Sequence, residues 1–127
     1  MSHFTTIKTQ IKDIAALRLA CQELGLELNE KTNARGYATK VRPGDWVIRL
    51  KGPYDIALNA EKDGTFGLTT DWWAGHVARE VGAGYGILLQ LYGVHKATQE
   101  ARKRGLTVAR QARNDGSIKL VLSGVGL

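Results

Sequence analysis

The sequence predicts an α+β fold, in which an antiparallel sheet, made of a meander plus a C-terminal hairpin, has two helices packed on one face. Two segments with the order helix, glycine, strand support this class, residues 20–26 and 101–106. Between them lie three stretches in which apolar and polar residues alternate, as in a half-buried antiparallel sheet. Helices gathered on one face of such a sheet define the class, and a ferredoxin-like topology is one version of it. The 127 residues are expected to form a single α+β domain, 1–127.

The N-terminal third contains one predicted helix between strands. Residues 3–11 are rich in β-branched side chains and predict a strand. Asp13 is predicted to cap the helix that follows, because its carboxylate can accept hydrogen bonds from the free amides of the first turn. Apolar residues spaced three, four and three apart predict that helix over 14–24. A short strand follows at 26–29, and the polar, basic, glycine-punctuated stretch 30–44 is predicted to be a loop, with an irregular strand around Tyr37 left open as an alternative.

The middle of the chain predicts a meander of three antiparallel strands. The segments 46–50, 54–60 and 66–70 alternate between apolar and polar side chains. Asp63-Gly64 lies between the second and third, and this dipeptide suits the positive φ angles of a tight hairpin turn.

The C-terminal half contains the longest helical segment. A short helix is predicted over 74–81, and a second main helix over 85–104. Gly105 follows that helix, at the position where a left-handed residue commonly ends one. A hairpin is then predicted with its turn at 114–116, and residues 123–127 are expected to form a loose tail.

Composition places the chain among ordinary globular proteins. Hydrophobic residues make up 43% and charged residues 24%, and no apolar run is long enough to span a membrane. The N-terminus shows no secretory signal pattern. The single cysteine, Cys21, excludes an intrachain disulfide framework and is expected to be a small buried side chain. These features favour a reducing, cytoplasmic compartment.

Four residues are candidates for binding a partner protein. Arg35 and Tyr37 flank a glycine in the predicted loop, and Trp72-Trp73 closes the meander. Arginine, tyrosine and tryptophan are the residue types that dominate binding energy at interfaces. Two alternatives stay open for the tryptophans: a stacking platform for bases, or one indole in the core and one covering a helix end.

The basic residues suggest a nucleic-acid partner as an alternative. The net charge is +6 and the isoelectric point is near 9.7. The densest cluster is Arg102-Lys103-Arg104, followed by Arg110 and Arg113. Such a cluster can neutralise phosphates, but cations at a helix C-terminus also complement the helix dipole, which is the simpler interpretation.

An enzyme is the third and weakest hypothesis. Asp71 and His76 could meet if the chain turns at Trp73, and His95 would be a further acid or base. A capping role for Asp71 and surface or packing roles for the histidines are simpler. The sequence contains no motif for a metal site, a nucleophile elbow or a phosphate loop, so no catalytic residue, metal or cofactor is predicted.

Six motifs spread over nearly the whole chain carry a family resemblance: Met1–Phe4, Ile7–Asp13, Ala34–Tyr37, Tyr54–Ile56, Asp71–Trp73 and Asp115–Leu122. Together they resemble the uncharacterised "hypothetical chloroplast reading frame thirty-five" family of cyanobacteria and algal plastids, a domain of unknown function. The resemblance implies a cytoplasmic or stromal protein and brings no reaction, ligand or catalytic residue with it.

The leading hypothesis is therefore a non-enzymatic accessory or adaptor protein that acts by protein–protein binding. It would use Arg35, Tyr37, Trp72 and Trp73, without a cofactor and without a membrane partner. RNA binding is the alternative. A homo-oligomer is also possible, because a small sheet has edges that must be covered or charged.

Overall fold

A computed structural model of the chain describes residues 3–124. A five-stranded antiparallel sheet has the strand order β1-β5-β4-β3-β2, and a separate hairpin is formed by β6 and β7. The predicted α+β class is thereby confirmed. The strands are β1 (Thr5–Lys8), β2 (Glu27–Arg35), β3 (Val41–Arg49), β4 (Ile56–Ala60), β5 (Phe66–Thr70), β6 (Thr107–Ala112) and β7 (Ile118–Ser123). The α-helices are α1 (Ile14–Glu23), α2 (Ala78–Val81) and α3 (Gly86–Lys103), with 3₁₀ turns at Trp73–Gly75 and Ala83–Tyr85.

The ferredoxin-like version of the class is wrong for this chain. In that topology a single strand separates the two strands that flank the first helix. Here β1 and β2 flank α1 but lie at opposite edges of the sheet, with three strands between them. The difference arises because β2, β3, β4 and β5 are joined as successive antiparallel neighbours, which leaves β1 to pair with β5.

Local signals place the first helix where the sequence predicts it. Asp13 caps α1, its Oδ1 accepting from the Ala16 amide at 3.1 Å. This hydrogen bond is the main reason that the pKa of Asp13 is lowered. Gly25 follows the helix with φ +69°, a left-handed conformation that glycine adopts without steric cost.

The two long helices pack on the same face of the sheet, as predicted. Residues of α1 and α3 share one core cluster with inward side chains of β3, β4 and β5. Leu17 and Leu88 are fully buried from the helix side, and Ile48, Leu58 and Leu68 from the sheet side. The main core therefore lies between the two helices and one face of the sheet. The opposite face of the sheet is not covered by these helices.

Residues 30–44, predicted to be a loop with room for an irregular strand around Tyr37, are largely the bent continuation of β2 and β3, and Tyr37 lies in the turn between the two strands. Both strands continue as a paired hairpin out to Arg35 and Val41. Leu28 pairs with Ile48, close to the end of β3 and to Leu50. If β2 were straight, Arg35 would lie about 23 Å from Leu28 and therefore far from Leu50. Arg35 Nη2 nevertheless donates to the Leu50 carbonyl at 3.0 Å. The hairpin therefore folds back across the sheet, and residues 32–44 are called the arm below.

Small side chains allow the arm to approach the sheet closely. Ala34 on the arm is fully buried against Val47 and Ala57 of the sheet, in a cluster separate from the main core. A Cβ added at Gly44 would lie 2.5 Å from the Trp46 carbonyl oxygen and 3.0 Å from Val47 Cγ2. Only glycine fits at that point of the bend, because the nearest of these atoms is rigid backbone.

Hydrogen bonds to Asn59 and Asp45 hold the bend in place. Asn59 Oδ1 accepts from the Asp45 amide at 3.0 Å, and its Nδ2 donates to the Pro43 carbonyl at 3.1 Å. Asp45 Oδ2 accepts from the Ala60 amide at 2.8 Å. These side chains pair backbone groups at the point where β3 leaves β4, so few strand hydrogen bonds are lost.

The C-terminal hairpin is present with its predicted turn, in which Gly116 has φ +86°. It is fastened to the helices by Gln90, which donates to the Gly116 carbonyl at 3.0 Å, and by an ion pair between Arg110 and Glu23. Ser123 ends β7 rather than beginning a tail, and the rest of the predicted tail, apart from Gly124, lies outside the described residues. Within residues 3–124, no helix has the length and apolarity needed to cross a membrane.

Candidate functional site

An arginine–carboxylate lock fastens the tip of the arm to the sheet. Asp55 is 1% exposed, and its two oxygens accept from Arg35 Nε at 2.9 Å and from Arg35 Nη2 at 2.8 Å. The same carboxylate accepts from the backbone amides of Arg35 and Leu50. Hydrogen bonding to Asp55 is the main reason that the pKa of Arg35 is raised. The Arg35 guanidinium, predicted to bind a partner, is thus engaged within the fold, although 36% of its side chain stays exposed.

A second carboxylate fixes the loop beside this lock. Glu80 accepts from the backbone amides of Lys51 and Gly52, at 2.7 and 3.0 Å. The Gly52 carbonyl in turn accepts from Arg35 Nη2 at 2.8 Å. The loop between β3 and β4 is therefore hydrogen-bonded both to α2 and to the arm. These bonds fix the position of the loop on which the tip of the arm packs.

Tyr37 and Trp73 meet at the tip of the arm. Their ring centroids are 5.5 Å apart with the planes at 72°, an edge-to-face contact. Tyr37 is 42% exposed and Trp73 is 48% exposed. The sequence places these residues in two separate candidate segments, and the fold brings them together into one surface, called the Tyr37–Trp73 surface below.

Local backbone geometry positions both rings. Asp71 Oδ1 accepts from the Trp73 amide at 3.0 Å, and Ala74 with φ 58° turns the chain directly afterwards. On the arm, Gly36 lies against the ring of Phe4, and a Cβ there would collide with that ring. The turn at Asp71 therefore positions Trp73, and the contact between Gly36 and Phe4 positions Tyr37.

The two adjacent tryptophans have different environments. Trp72 packs on the main core and contacts the ring of Tyr85 edge to face, with centroids 4.7 Å apart. Tyr85 is 1% exposed, its hydroxyl has no partner among the described residues, and burial raises its pKa. Trp73 is the exposed member of the pair. The interpretation with one indole in the core therefore describes Trp72, and of the two only Trp73 projects to the surface.

The exposed charges around the Tyr37–Trp73 surface are positive. Lys40 and Arg42 are exposed on the arm, and Arg79 donates from its exposed guanidinium to the Ala74 carbonyl at 3.0 Å. The carboxylates of Asp55, Asp71 and Glu80 are occupied by the hydrogen bonds described above. The sequence shows the basic character of this stretch, since residues 31–44 contain four Lys or Arg side chains and no Asp or Glu, but these cations were not predicted to be site residues.

The three candidate catalytic residues have separate contacts. Asp71 holds the Trp73 turn, and His76 packs edge to face on Tyr54, with centroids 5.3 Å apart, and near Trp73. His95 lies within α3, and its Nε2 is 3.1 Å from Glu23 Oε2. None of the hydrogen bonds found within residues 3–124 joins any two of the three. Burial raises the pKa of the Cys21 thiol to about 12.

No group of three or more His, Cys, Asp or Glu side chains in the described part of the chain is arranged to hold a metal ion.

The five candidate nucleic-acid residues divide into paired and unpaired cations. Arg110 donates to both Glu23 oxygens, at 2.5 and 3.1 Å, which raises the pKa of Arg110 and lowers that of Glu23. Lys103 lies 3.4 Å from Glu100. Arg102, Arg104 and Arg113 are exposed and form no ion pair within the described residues.

The fold and this surface define a small α+β protein with an exposed aromatic pair bordered by unpaired cations. The chain belongs to the family described as "Protein of unknown function (DUF1257)", whose model matches residues 20–121. The matched region includes the arm, the Asp55 lock and Trp73. No curated protein and no solved structure matches the sequence.

Proposed function

We propose that this protein is a non-enzymatic adaptor that binds another protein through the Tyr37–Trp73 surface. The observation that supports it is the meeting of two half-exposed aromatic rings on rigidly held turns. Tyrosine and tryptophan bury large areas at small cost in side-chain entropy, so a fixed aromatic pair is a good anchor for a partner. We further propose that the protein is the cyanobacterial or plastid-type member of its family and acts in the cytoplasm or stroma.

The folded environment around these rings favours recognition over chemistry. The acids and imidazoles nearest to the surface are engaged in turn formation and ring packing, as described for Asp71 and His76. A general base must reach the proton that it abstracts, whereas a binding anchor needs only exposure and a fixed position. Tyr37 and Trp73 meet the second requirement.

The test is capture of the partner by tagged protein from the cells in which it is naturally made. We expect Trp73→Ala and Tyr37→Ala each to reduce recovery of the bound protein by about tenfold or more, as for central interface residues. Leu122→Ala is the matched control, because Leu122 is 44% exposed on the separate β6–β7 hairpin. Equal recovery with all three variants would show that the partner, if any, binds elsewhere.

RNA binding is the second candidate, supported by the exposed and unpaired Arg102, Arg104 and Arg113. The measurement is the salt dependence of oligouridylate binding, starting at about 50 mM salt, where electrostatic binding is strong. Replacing the three arginines by alanine should lower the slope of log K against log salt by about 2 in magnitude, from about 0.7 per phosphate contact. An unchanged slope, or no binding to the native protein, contradicts this candidate.

A further inference from the structure

We infer that the partner presents an extended acidic segment with a proline or aliphatic anchor, which binds along the arm and inserts its anchor beside Tyr37 and Trp73. This inference rests on the proposed function and assigns the chemistry of the segment that the same surface would bind. It follows from the charge of the arm, the shape of the aromatic contact and the open edge of the arm strands.

The charge of the arm calls for an anionic partner. From residue 32 to residue 44 the chain carries Arg35, Lys40 and Arg42 and no acidic side chain. Arg35 is neutralised by Asp55, but Lys40 and Arg42 are exposed and form no ion pair within residues 3–124. Acidic side chains of a partner would therefore meet unpaired cations, and complementary charges of this kind favour encounter and set the register of binding.

The shape of the aromatic contact selects a narrow apolar group. The planes of Tyr37 and Trp73 stand at 72° with centroids 5.5 Å apart, so the rings form a notch rather than two parallel walls. A base held between two rings would need parallel planes about 7 Å apart, twice the usual stacking contact. A proline ring or a short aliphatic side chain fits against two perpendicular rings, which is how aromatic-lined grooves hold proline-containing segments.

The arm also offers an edge for an extended chain. β3 pairs with β4 from Trp46 to Ile48, so among the strands of residues 3–124 Val41 and Arg42 have β2 as their one neighbour. Val41 is 55% exposed and lies directly after the tip that carries Tyr37. An extended segment next to this edge would reach the cations of the arm and the aromatic notch in one continuous path.

The experiment uses a labelled synthetic peptide with Leu-Pro at its centre and glutamates on both sides, titrated with the full chain. A peptide with Gly-Ser in place of Leu-Pro tests the anchor, one with lysines in place of the glutamates tests the charge, and oligouridylate tests the other class of anion. We expect the acidic Leu-Pro peptide to bind, with at least tenfold weaker binding for each altered peptide.

Two double variants separate the local cations from net charge. Lys40→Glu with Arg42→Glu, and Arg102→Glu with Arg104→Glu, each replace two cations by two anions and so lower the net charge from +6 to +2. We expect the first pair to weaken peptide binding at least tenfold and the second to change it less than twofold. Circular dichroism of both variants checks that each is folded.

Several outcomes would overturn the inference. Equal losses of peptide binding in the two double variants would mean that binding depends on the net charge and not on the arm. If oligouridylate binds more tightly than the peptide, and Trp73→Ala abolishes that binding, the surface binds nucleic acid instead. Failure to bind the acidic peptide would also overturn it. If the native partner is still captured in a Trp73-dependent way, that failure leaves the proposed function standing; if capture is independent of Trp73, the proposed function falls instead.

Discussion

Replacing Asp55 by alanine is expected to lower the free energy of unfolding by about 2–4 kcal/mol, because two backbone amides lose their acceptor while the half-exposed Arg35 side chain can be solvated in part. Asp55 is 1% exposed and accepts four hydrogen bonds, two from the Arg35 side chain and two from backbone amides. Its loss leaves those donors without a partner beneath the arm. Urea denaturation followed by tryptophan fluorescence gives the measurement, and capture of the partner should fall as well, since the arm tip loses its fastening.

Two further variants test whether the lock is the cause. Asp45→Ala removes an exposed carboxylate that accepts one backbone amide, so it should cost about 1 kcal/mol. Combining Arg35→Met with Asp55→Ala should cost less than the sum of the single changes by about 0.5–3 kcal/mol, because each single change leaves the other group unpaired. Strict additivity, or an Asp55→Ala cost no larger than that of Asp45→Ala, would mean that the lock contributes little.

Elements of the fold with local signals could be predicted from the sequence. The cap at Asp13, the apolar spacing over 14–24 and the Asp63-Gly64 turn each act within a few residues, and the structure has them at those positions. The arm had no such signal. A polar, basic segment with two glycines and a proline is typical of a loop, and its packing against the sheet is made by Ala34 with Val47 and Ala57. Those contacts join residues far apart in the chain.

The candidate site could be predicted only in part, because its residues are also far apart in the chain. Tyr37 and Trp73 were selected by residue type, and only the folded arm shows that their rings touch. Arg35 was also selected by residue type. In the structure it forms an ion pair with Asp55, which is twenty residues further along the chain and gives no local signal of the pairing. The sequence left open which of Trp72 and Trp73 is buried. The answer depends on the chain leaving the strand at Thr70 and turning at Ala74, so the simple alternation of a strand no longer applies.

Replacing Gly44 by alanine is the second large expected effect, because the bend of the arm has no room for a side chain. The added Cβ would lie 2.5 Å from the Trp46 carbonyl oxygen, a backbone atom that cannot rotate away, and 3.0 Å from Val47 Cγ2. The bend must open to relieve this contact, which should cost about 1–3 kcal/mol, as for other overpacked sites. Urea denaturation measures the loss.

The position of the aromatic pair should respond to the same substitution. When the bend opens, the arm moves away from Ala57, and Tyr37 should lose its edge-to-face contact with Trp73, as a weakened nuclear Overhauser effect between the two rings would show. Gly93→Ala is the matched control: a Cβ at Gly93 meets nothing within 4 Å, and alanine in a helix interior stabilises by about 1 kcal/mol. A Gly44→Ala protein that keeps both its stability and the ring contact would show that the arm is not held by close packing at the bend, and the dependence of partner binding on arm position would fall with it.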